Sequence, residues 1–279
     1  MNKKTDDQLV KKSVGHITWR QLRALKDNYI YLLTDDVAHQ AAVIDPGEAA
    51  PVRDFLTKKN YDLSAIFITH HHSDHVGGVM QLLHDYQCPL FAPQYDLSRN
   101  RIPHLPVPPP IGVKGGDQLE WQGLQISVID LPGHTLGHVG FLSGAVETTN
   151  GKIQHWFFSG DVIFSLGCGY LFEGSYEQAW ATLKAIKNLP DDTLLFMGHE
   201  YSAANIAFAK KFFADNPSNS DNAKAVFAER IDAIKKARIH DQSTVPVPLA
   251  VERVTNPFLQ LTSGAAFRHL REAKNNFSA

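Results

Sequence analysis

Histidine and aspartate crowd one short stretch of this chain, Thr69-His70-His71-His72-Ser73-Asp74-His75-Val76-Gly77-Gly78. Imidazole is the commonest side-chain ligand for zinc and iron, and carboxylate completes harder metal sites. On an extended backbone alternate side chains point the same way, so His70 and His72 can share one metal. Asp74 and His75 follow where the chain curls toward a helix, and they face a different point. Converging ligands of this kind are too many for one cation, so the stretch predicts more than one.

The elements that must position these residues follow from hydrophobic period and turn chemistry. An apolar run over residues 63–68 reads as a buried strand delivering the stretch, and residues 79–86 read as the helix after it. Upstream, residues 17–25 and 29–34 predict a strand pair turning at Lys26-Asp27-Asn28. Residues 40–44 predict a strand ending at Asp45-Pro46-Gly47, followed by a helix over 49–59 with Ala50, Phe55 and Leu56 toward the core. Further strands are expected near 89–92, 118–121, 124–131, 139–143, 155–159 and 193–197, with a helix near 176–188. A proline-rich connector over 103–110 excludes regular structure, and a polar hairpin tip is expected around Asn150-Gly151. Beyond Ala203 the pattern is helical, near 203–214, 223–238 and 266–275, with no strand expected. Strand, helix, strand in this order predicts a layered αβ fold.

These strands end, one after another, at metal-capable residues: His70 and His72, then His134, Asp161 and His199, with Asp45 ending an earlier one. Ligand sites in αβ proteins gather where strand termini bring distant segments together. Two adjacent sites result. His70, His72 and His134 fit one metal, Asp74, His75 and His199 fit the other, and Asp161 can place one oxygen on each. Two cations about 3.5–4 Å apart can hold a hydroxide between them and polarise a substrate carbonyl. Asp74 and Asp161 are the expected catalytic carboxylates.

Composition bounds the partners. The 279 residues carry 27 Lys+Arg against 29 Asp+Glu, so no field is built for nucleic acid or a membrane surface. Hydrophobic content of 43% is ordinary for a globular protein, and no apolar run reaches transmembrane length. Only Cys88 and Cys168 occur, which points to a reducing compartment rather than a disulfide framework. Residues 1–16, with four lysines and two aspartates, read as a short polar extension and not a signal sequence. A soluble, cytoplasmic monomer is the expectation.

The Thr-His-x-His-x-Asp-His stretch resembles the signature of metallo-β-lactamase-fold hydrolases. Pro132-Gly133-His134-Thr135, Gly160-Asp161 and Gly198-His199-Glu200-Tyr201 are similar to that superfamily's later motifs, in the same order. Within it, Asp27-Asn28-Tyr29-Ile30-Tyr31, the loop Gly167-Cys168-Gly169-Tyr170-Leu171-Phe172-Glu173-Gly174 and the helical C-terminal segment resemble glyoxalase II. The resemblance implies an α+β, four-layer αββα sandwich (residues 17–199) with a small C-terminal helical, substrate-binding domain (residues 200–279). It implies hydrolysis of the thioester S-D-lactoylglutathione to D-lactate and glutathione, in methylglyoxal detoxification. It also implies two divalent metal ions per chain, zinc above all, with iron or manganese as substitutes. Carried over residue by residue, glutathione contacts fall on Tyr170, Phe172, Tyr201, Arg271 and Lys274. Lys or Arg is usual where Tyr170 stands, and Tyr is common where Phe172 stands. One lost charge-assisted bond, about 1.5–3 kcal/mol, weakens binding roughly tenfold to a hundredfold unless another group compensates.

Plainer roles are expected elsewhere. His71, between two ligands, should point away from the metals. His138 and Asp45 fit roles orienting His134 or its neighbours. His16, His39, His84, His104, His155, His240 and His269 fit the surface, and Cys168 has no base placed for it. Arg271 and Lys274, taken alone, fit a solvated helix face. Rival chemistries on the same fold are hydrolysis of a lactone, β-lactam or other thioester, an iron-dependent persulfide dioxygenase, a diiron flavoprotein partner and a non-catalytic scaffold. Asp74, His75 and His199 together speak for two complete hydrolytic sites.

Overall fold

A computed structural model describes residues 16–147, 151–216 and 221–277. Strands β1 (Ile17–Ala24), β2 (Asn28–Asp35) and β3 (Gln40–Ile44) run antiparallel. Every residue of β2 is buried, as a strand covered on both faces requires. Its alternation splits the side chains: Ile30 and Leu32 enter one core, Tyr29, Tyr31 and Leu33 the other. Helix α1 (Ala49–Lys59) then returns the chain so that β4 (Asp62–Phe67) pairs in parallel with β3. Helices α2 (Ser73–Val76) and α3 (Val79–Tyr86) follow, then β5 (Leu90–Pro93), α4 (Gln94–Leu97) and β6 (Ile111–Val113). They complete a six-stranded sheet in the order β1-β2-β3-β4-β5-β6.

The second sheet is built from β7 (Gln118–Trp121), β8 (Leu124–Asp130), β9 (Val139–Ser143), β10 (Val146–Glu147) and β11 (Ile153–Gly160). A small hairpin, β12 (Ile163–Phe164) and β13 (Gly167–Cys168), and helix α5 (Tyr176–Lys187) precede β14 (Thr193–Met197), which adds in parallel to β11. After it come α6 (Ser202–Asp215), α7 (Asp221–Ile239), β15 (Val247–Pro248), α8 (Leu249–Thr255) and α9 (Gly264–Asn275). The strand order is β15-β14-β11-β9-β8-β7, with β10 beside β11.

The two sheets stack through one aromatic core, where Tyr31 meets Phe196 edge to face at 5.2 Å and Phe67 meets Phe141 at 5.3 Å. Val52, Leu56, Leu82 and Leu83 of α1 and α3 cover the outer face of the first sheet. Leu183, Leu249 and Phe267, on α5, α8 and α9, share the core of the second. The result is the expected four-layer αββα sandwich with helices after it. Helices α6 and α7 close around a separate cluster of Leu166, Phe213, Phe227, Ile231 and Ile234.

Several details correct the sequence reading. The segment after residue 203 does contain a strand, since Val247 and Pro248 pair with Leu195 and Leu194. A strand of two residues, one of them Pro248, carries no period to detect. Helix α8 and the short α2, α4, β6, β12 and β13 escaped for the same reason. The connector over 103–110 is irregular, as its prolines require. The extension over 1–16, apart from His16, and Asn150 of the hairpin tip lie outside the described residues. Among the described residues, no helix is long and apolar enough to cross a membrane.

The C-terminal helices are fastened to the β12–β13 hairpin by a buried carboxylate. Glu252 accepts hydrogen bonds from Ser165 Oγ (3.1 Å), the Leu166 amide (3.0 Å) and Asn256 Nδ2 (3.0 Å), with Arg230 Nη2 at 3.9 Å. Glu252→Ala leaves the Ser165 hydroxyl and the Leu166 amide without their acceptor in the interior and takes one from Asn256, and we expect it to lower stability by about 2–4 kcal/mol. The shift in the urea unfolding midpoint measures this, and an unshifted midpoint would show that water replaces the carboxylate without cost.

Candidate metal centre

The ends of both sheets meet at one edge of the sandwich. The first sheet contributes Asp45 after β3 and the 70–75 turn after β4. The second contributes His134 between β8 and β9, Asp161 after β11 and His199 after β14. The β1–β2 turn closes the edge from the other side, where Asn28 bridges to His199 and the Tyr29 amide donates to the Gly198 carbonyl at 2.8 Å. Gly160 must be glycine here. Its φ is +50°, and a Cβ would run into Thr69 Oγ1 and His138 Nε2.

All seven expected ligands converge, in two groups. His72 Nδ1 lies 3.1 Å from His70 Nε2 and 3.0 Å from His134 Nε2. His199 Nε2 lies 3.3 Å from Asp74 Oδ2 and 3.2 Å from Asp161 Oδ2, while His75 Nε2 lies 3.3 Å from Asp161 Oδ1. Asp161 stands between the groups, its Oδ2 also 3.6 Å from His134 Nε2. Asp45, His70 and His75 form a third metal-capable trio, but Asp45 is engaged elsewhere.

The donor sets fit cations. Ligands bound tetrahedrally at 2.0–2.1 Å are separated by about 3.3 Å, which is the spacing found within each group. The buried His75 Nε2 and Asp161 Oδ1 have no hydrogen-bond partner, an arrangement that is costly unless something between them binds both. Four of the five imidazoles are also turned to present a lone pair. His75 Nδ1 faces Asp45 Oδ2 at 3.0 Å, His199 Nδ1 faces Asp27 Oδ1 at 2.8 Å, and His134 Nδ1 faces the Tyr170 carbonyl at 2.8 Å. Those acceptors require the proton on Nδ1 and leave Nε2 free. For His70 the chain is longer: the Thr69 hydroxyl donates to Asp45 Oδ2 at 2.6 Å and so accepts from His70 Nδ1 at 3.0 Å.

Charge divides the groups further. Burial holds the imidazoles of His70 and His134 below their ordinary range and pushes His72 down to about 4, so these rings are neutral ligands. Burial also pulls on His75 and His199, but the carboxylates outweigh it: Asp161 and Asp45 raise His75, and Asp161 and Asp74 take His199 up to about 10. Asp74 and Asp161 stay well below the usual carboxylate range, burial being overcome by His75 and His199. The carboxylates thus demand positive charge, which protons supply on His75 and His199 unless a cation displaces them.

The residues expected to hold glutathione surround this centre unevenly. Phe172, 64% exposed, sets its ring 5.3 Å from His72 and 5.2 Å from His134, with Tyr170 beside it at 4.9 Å. Tyr201 stacks on His199 at 4.7 Å with the rings 8° from parallel. Arg271 lies behind this rim, buried, its Nη1 donating to the Cys168 carbonyl at 2.9 Å. Lys274 donates to Asn205 Oδ1 at 2.9 Å. Among the described residues neither cation pairs with a carboxylate. Burial, with Arg271 nearby, lowers the Lys274 ammonium to about 8.

Some supporting residues differ from the sequence reading. His71 does turn away from the metal groups, toward Asp96 and Glu173. Asp45 orients His75 and Thr69 rather than His134, adopting a left-handed φ of 49° to do so. His138 accepts from the Asp161 amide at 3.2 Å and stacks on His70 at 4.7 Å, so it too serves neighbours other than His134. Asp27 and Asn28 were assigned only a turn, yet Asp27 sets the His199 tautomer and Asn28 Nδ2 donates to Asp74 Oδ2 at 2.9 Å. Their one signal was membership of the Asp-Asn-Tyr stretch.

Comparison with known proteins agrees with this geometry. Residues 26–199 match the Metallo-beta-lactamase superfamily, and residues 200–277 match the Hydroxyacylglutathione hydrolase C-terminus. A hydroxyacylglutathione hydrolase of Bdellovibrio bacteriovorus is 39% identical over 252 residues, covering 89% of this chain and 94% of that protein. Another, from Nostoc punctiforme, is 38% identical over 271 residues, covering 92% and 98%. Among solved structures, ETHE1 from Myxococcus xanthus aligns with a TM-score of 0.63 at 22% identity, covering 92% of this chain and 91% of its own, a likeness of fold.

Asp45→Asn tests the orienting role. Asp45 accepts the Thr69 amide on Oδ1 and both the Thr69 hydroxyl and His75 Nδ1 on Oδ2, so an amide must turn its NH2 toward one of these donors and the His75 lone pair loses its direction. Chelator competition should show metal affinity down about tenfold to a hundredfold. Unchanged affinity would mean that the Asp45 contact does not set the ligand.

Proposed function

Because the chain belongs to the metallo-beta-lactamase superfamily and, within it, to the hydroxyacylglutathione hydrolases, we propose that it hydrolyses S-D-lactoylglutathione, or a related 2-hydroxyacylglutathione, to glutathione and D-lactate or the matching hydroxy acid. The observation that carries this reading is the pair of ligand groups sharing Asp161, set beside a rim backed by two cations that lack carboxylate partners. A single-metal oxidation would leave the second group without a task. In this reading residues 17–199 hold the metals and residues 200–279 supply most of the glutathione contacts.

His70, His72 and His134 would hold one cation and Asp74, His75 and His199 the other, with Asp161 available to both groups. Five imidazoles and two carboxylates suit zinc, with iron and manganese as competitors. Bound there, two such cations would supply Lewis acidity that lowers the pKa of a water and polarises a thioester carbonyl. Asp74, whose side chain is 35% exposed, directs Oδ2 to its partners and leaves Oδ1 to orient the attacking water. Phe172 shields His72 and His134 from solvent, and Tyr201 shields His199. Arg271 and Lys274 offer positive charge to the glutathione carboxylates. Cys88 and Cys168 are free and buried, in keeping with a reducing cytoplasm.

Purified protein loaded with metal should cleave S-D-lactoylglutathione with loss of thioester absorbance, holding about two metals per chain. Turnover no better than that of Asp161→Ala at saturating substrate would sink the thioesterase reading. Ligand binding should also depend on pH through Lys274. Its ammonium is charged below about 8 and is lost above it, so affinity for an anion is full below that pH and falls as pH rises through it. Calorimetry with the inert analogue S-methylglutathione should show Kd rising up to about tenfold per unit above pH 8, while Lys274→Arg stays flat. Parallel profiles for the two proteins would remove Lys274 from the binding site.

A further inference from the structure

A second cluster of charged side chains lies behind the first ligand group, and the chemistry above makes no use of it. Asp96 on α4 is fully buried, and neither of its oxygens has a hydrogen-bond partner. His71 sets Nδ1 3.2 Å from Asp96 Oδ1 and Nε2 3.7 Å from Glu173 Oε1. Arg101 Nη1 donates to Glu173 Oε1 at 2.8 Å and lies 3.6 Å from Asp96 Oδ1. Glu173 Oε2 accepts the Leu136 amide at 2.8 Å. A Cβ on Gly137 would run into the Asp96 carboxylate, so the turn after His134 packs its bare backbone against this cluster.

Three of the residues joined in it neighbour residues of the site. His71 lies between His70 and His72, Leu136 follows His134 by two residues, and Glu173 follows Phe172. The loop bearing Tyr170 and Phe172 is tied to the His134 turn by two backbone bonds, Phe172 N to the His134 carbonyl (3.1 Å) and Gly174 N to the Gly133 carbonyl (3.0 Å). Neither bond reaches the 70–72 turn. The Glu173 carboxylate does, through His71 and Arg101, and it closes three segments into one unit. Hydrogen bonds between ionised partners are worth roughly twice neutral ones, and this one is only partly exposed.

We propose that Glu173 is a positioning residue for substrate binding: anchored by Arg101 and His71, it holds the Tyr170–Phe172 segment at a fixed height over His72 and His134. The kinetic part of this inference rests on the glutathione-thioester reading. A loosened loop misplaces the rim that contacts the thiol moiety, while His75 and His199 keep the supports of Asp45 and Asp27, and the Phe172–His134 and Gly174–Gly133 backbone bonds still carry the Tyr170 carbonyl with His134.

Glu173→Gln keeps an acceptor for Leu136 and removes the charge facing Arg101, and Glu173→Ala removes both. In each we expect KM for S-D-lactoylglutathione to rise about tenfold with kcat within about threefold, metal content unchanged. Deuterium exchange of the 169–174 amides should quicken, and Arg101→Lys, which keeps the charge contact, should sit near the wild type. If Glu173→Ala fails to fold, Glu173→Gln decides. Unaltered exchange in Glu173→Gln, or lower kcat with metal lost while KM stands, overturns the inference. Wild-type protein that hydrolyses no glutathione thioester sinks the functional reading instead, and the exchange measurement still decides this one.

Discussion

A carboxylate removed from water costs several kcal/mol unless positive charge or hydrogen bonds replace the lost solvent. Asp161 is 5% exposed and lies among imidazoles from three different segments. The first sheet delivers His70, His72, Asp74 and His75, and the second delivers His134, Asp161 and His199. Neither sheet alone can compensate this charge. The aromatic layer between them, with Phe67 against Phe141 and Tyr31 against Phe196, therefore does more than stabilise a fold. It sets the distance across which the carboxylate reaches both ligand groups, and interiors packed to crystal density transmit small changes in such distances.

What the sequence made legible follows from what each residue can do by itself. Strands such as 40–44 and 193–197, and helices such as 49–59, announce themselves by period, and a histidine at a strand end announces its lone pair wherever it is met. The fold class and the seven convergent side chains could be read for that reason. Supports are harder, because their role is relational. Asp27 reads as a turn residue until His199, brought from the far end of the second sheet, is set 2.8 Å away. The acceptor that orients His134 is the Tyr170 carbonyl, a group every residue has, so no side-chain type could have pointed to it. Asp45 and His138 were recognised as orienting residues, but which ring each serves depends on how the strand ends stack.

The C-terminal segment illustrates the same limit. Its helices α6 and α7 show ordinary helical sequence and pack among themselves, while β15 is only two residues long and includes Pro248, and α8 and α9 join the core of the second sheet. Arg271 is accordingly more than a rim cation. Its Nη1 holds the Cys168 carbonyl, two residues before Tyr170, so one guanidinium both offers charge and braces the loop that carries the rim. Replacing it would confound the two effects, and this is why Lys274, with its single amide partner, reports ligand binding more cleanly.

The two halves of the site tolerate change differently, and electrostatics gives the reason. Removing one metal ligand leaves the other buried charges of its group uncompensated, a cost set by desolvation. Altering Tyr170 or Phe172 leaves no such debt, since both are exposed, at 49% and 64%, and water can take over a lost contact. A single-contact change on an exposed rim scales affinity by a factor, whereas a change at the buried carboxylate removes the condition for holding cations at all. Acyl and thiol preferences can therefore drift along the rim around a hydrolytic centre that cannot.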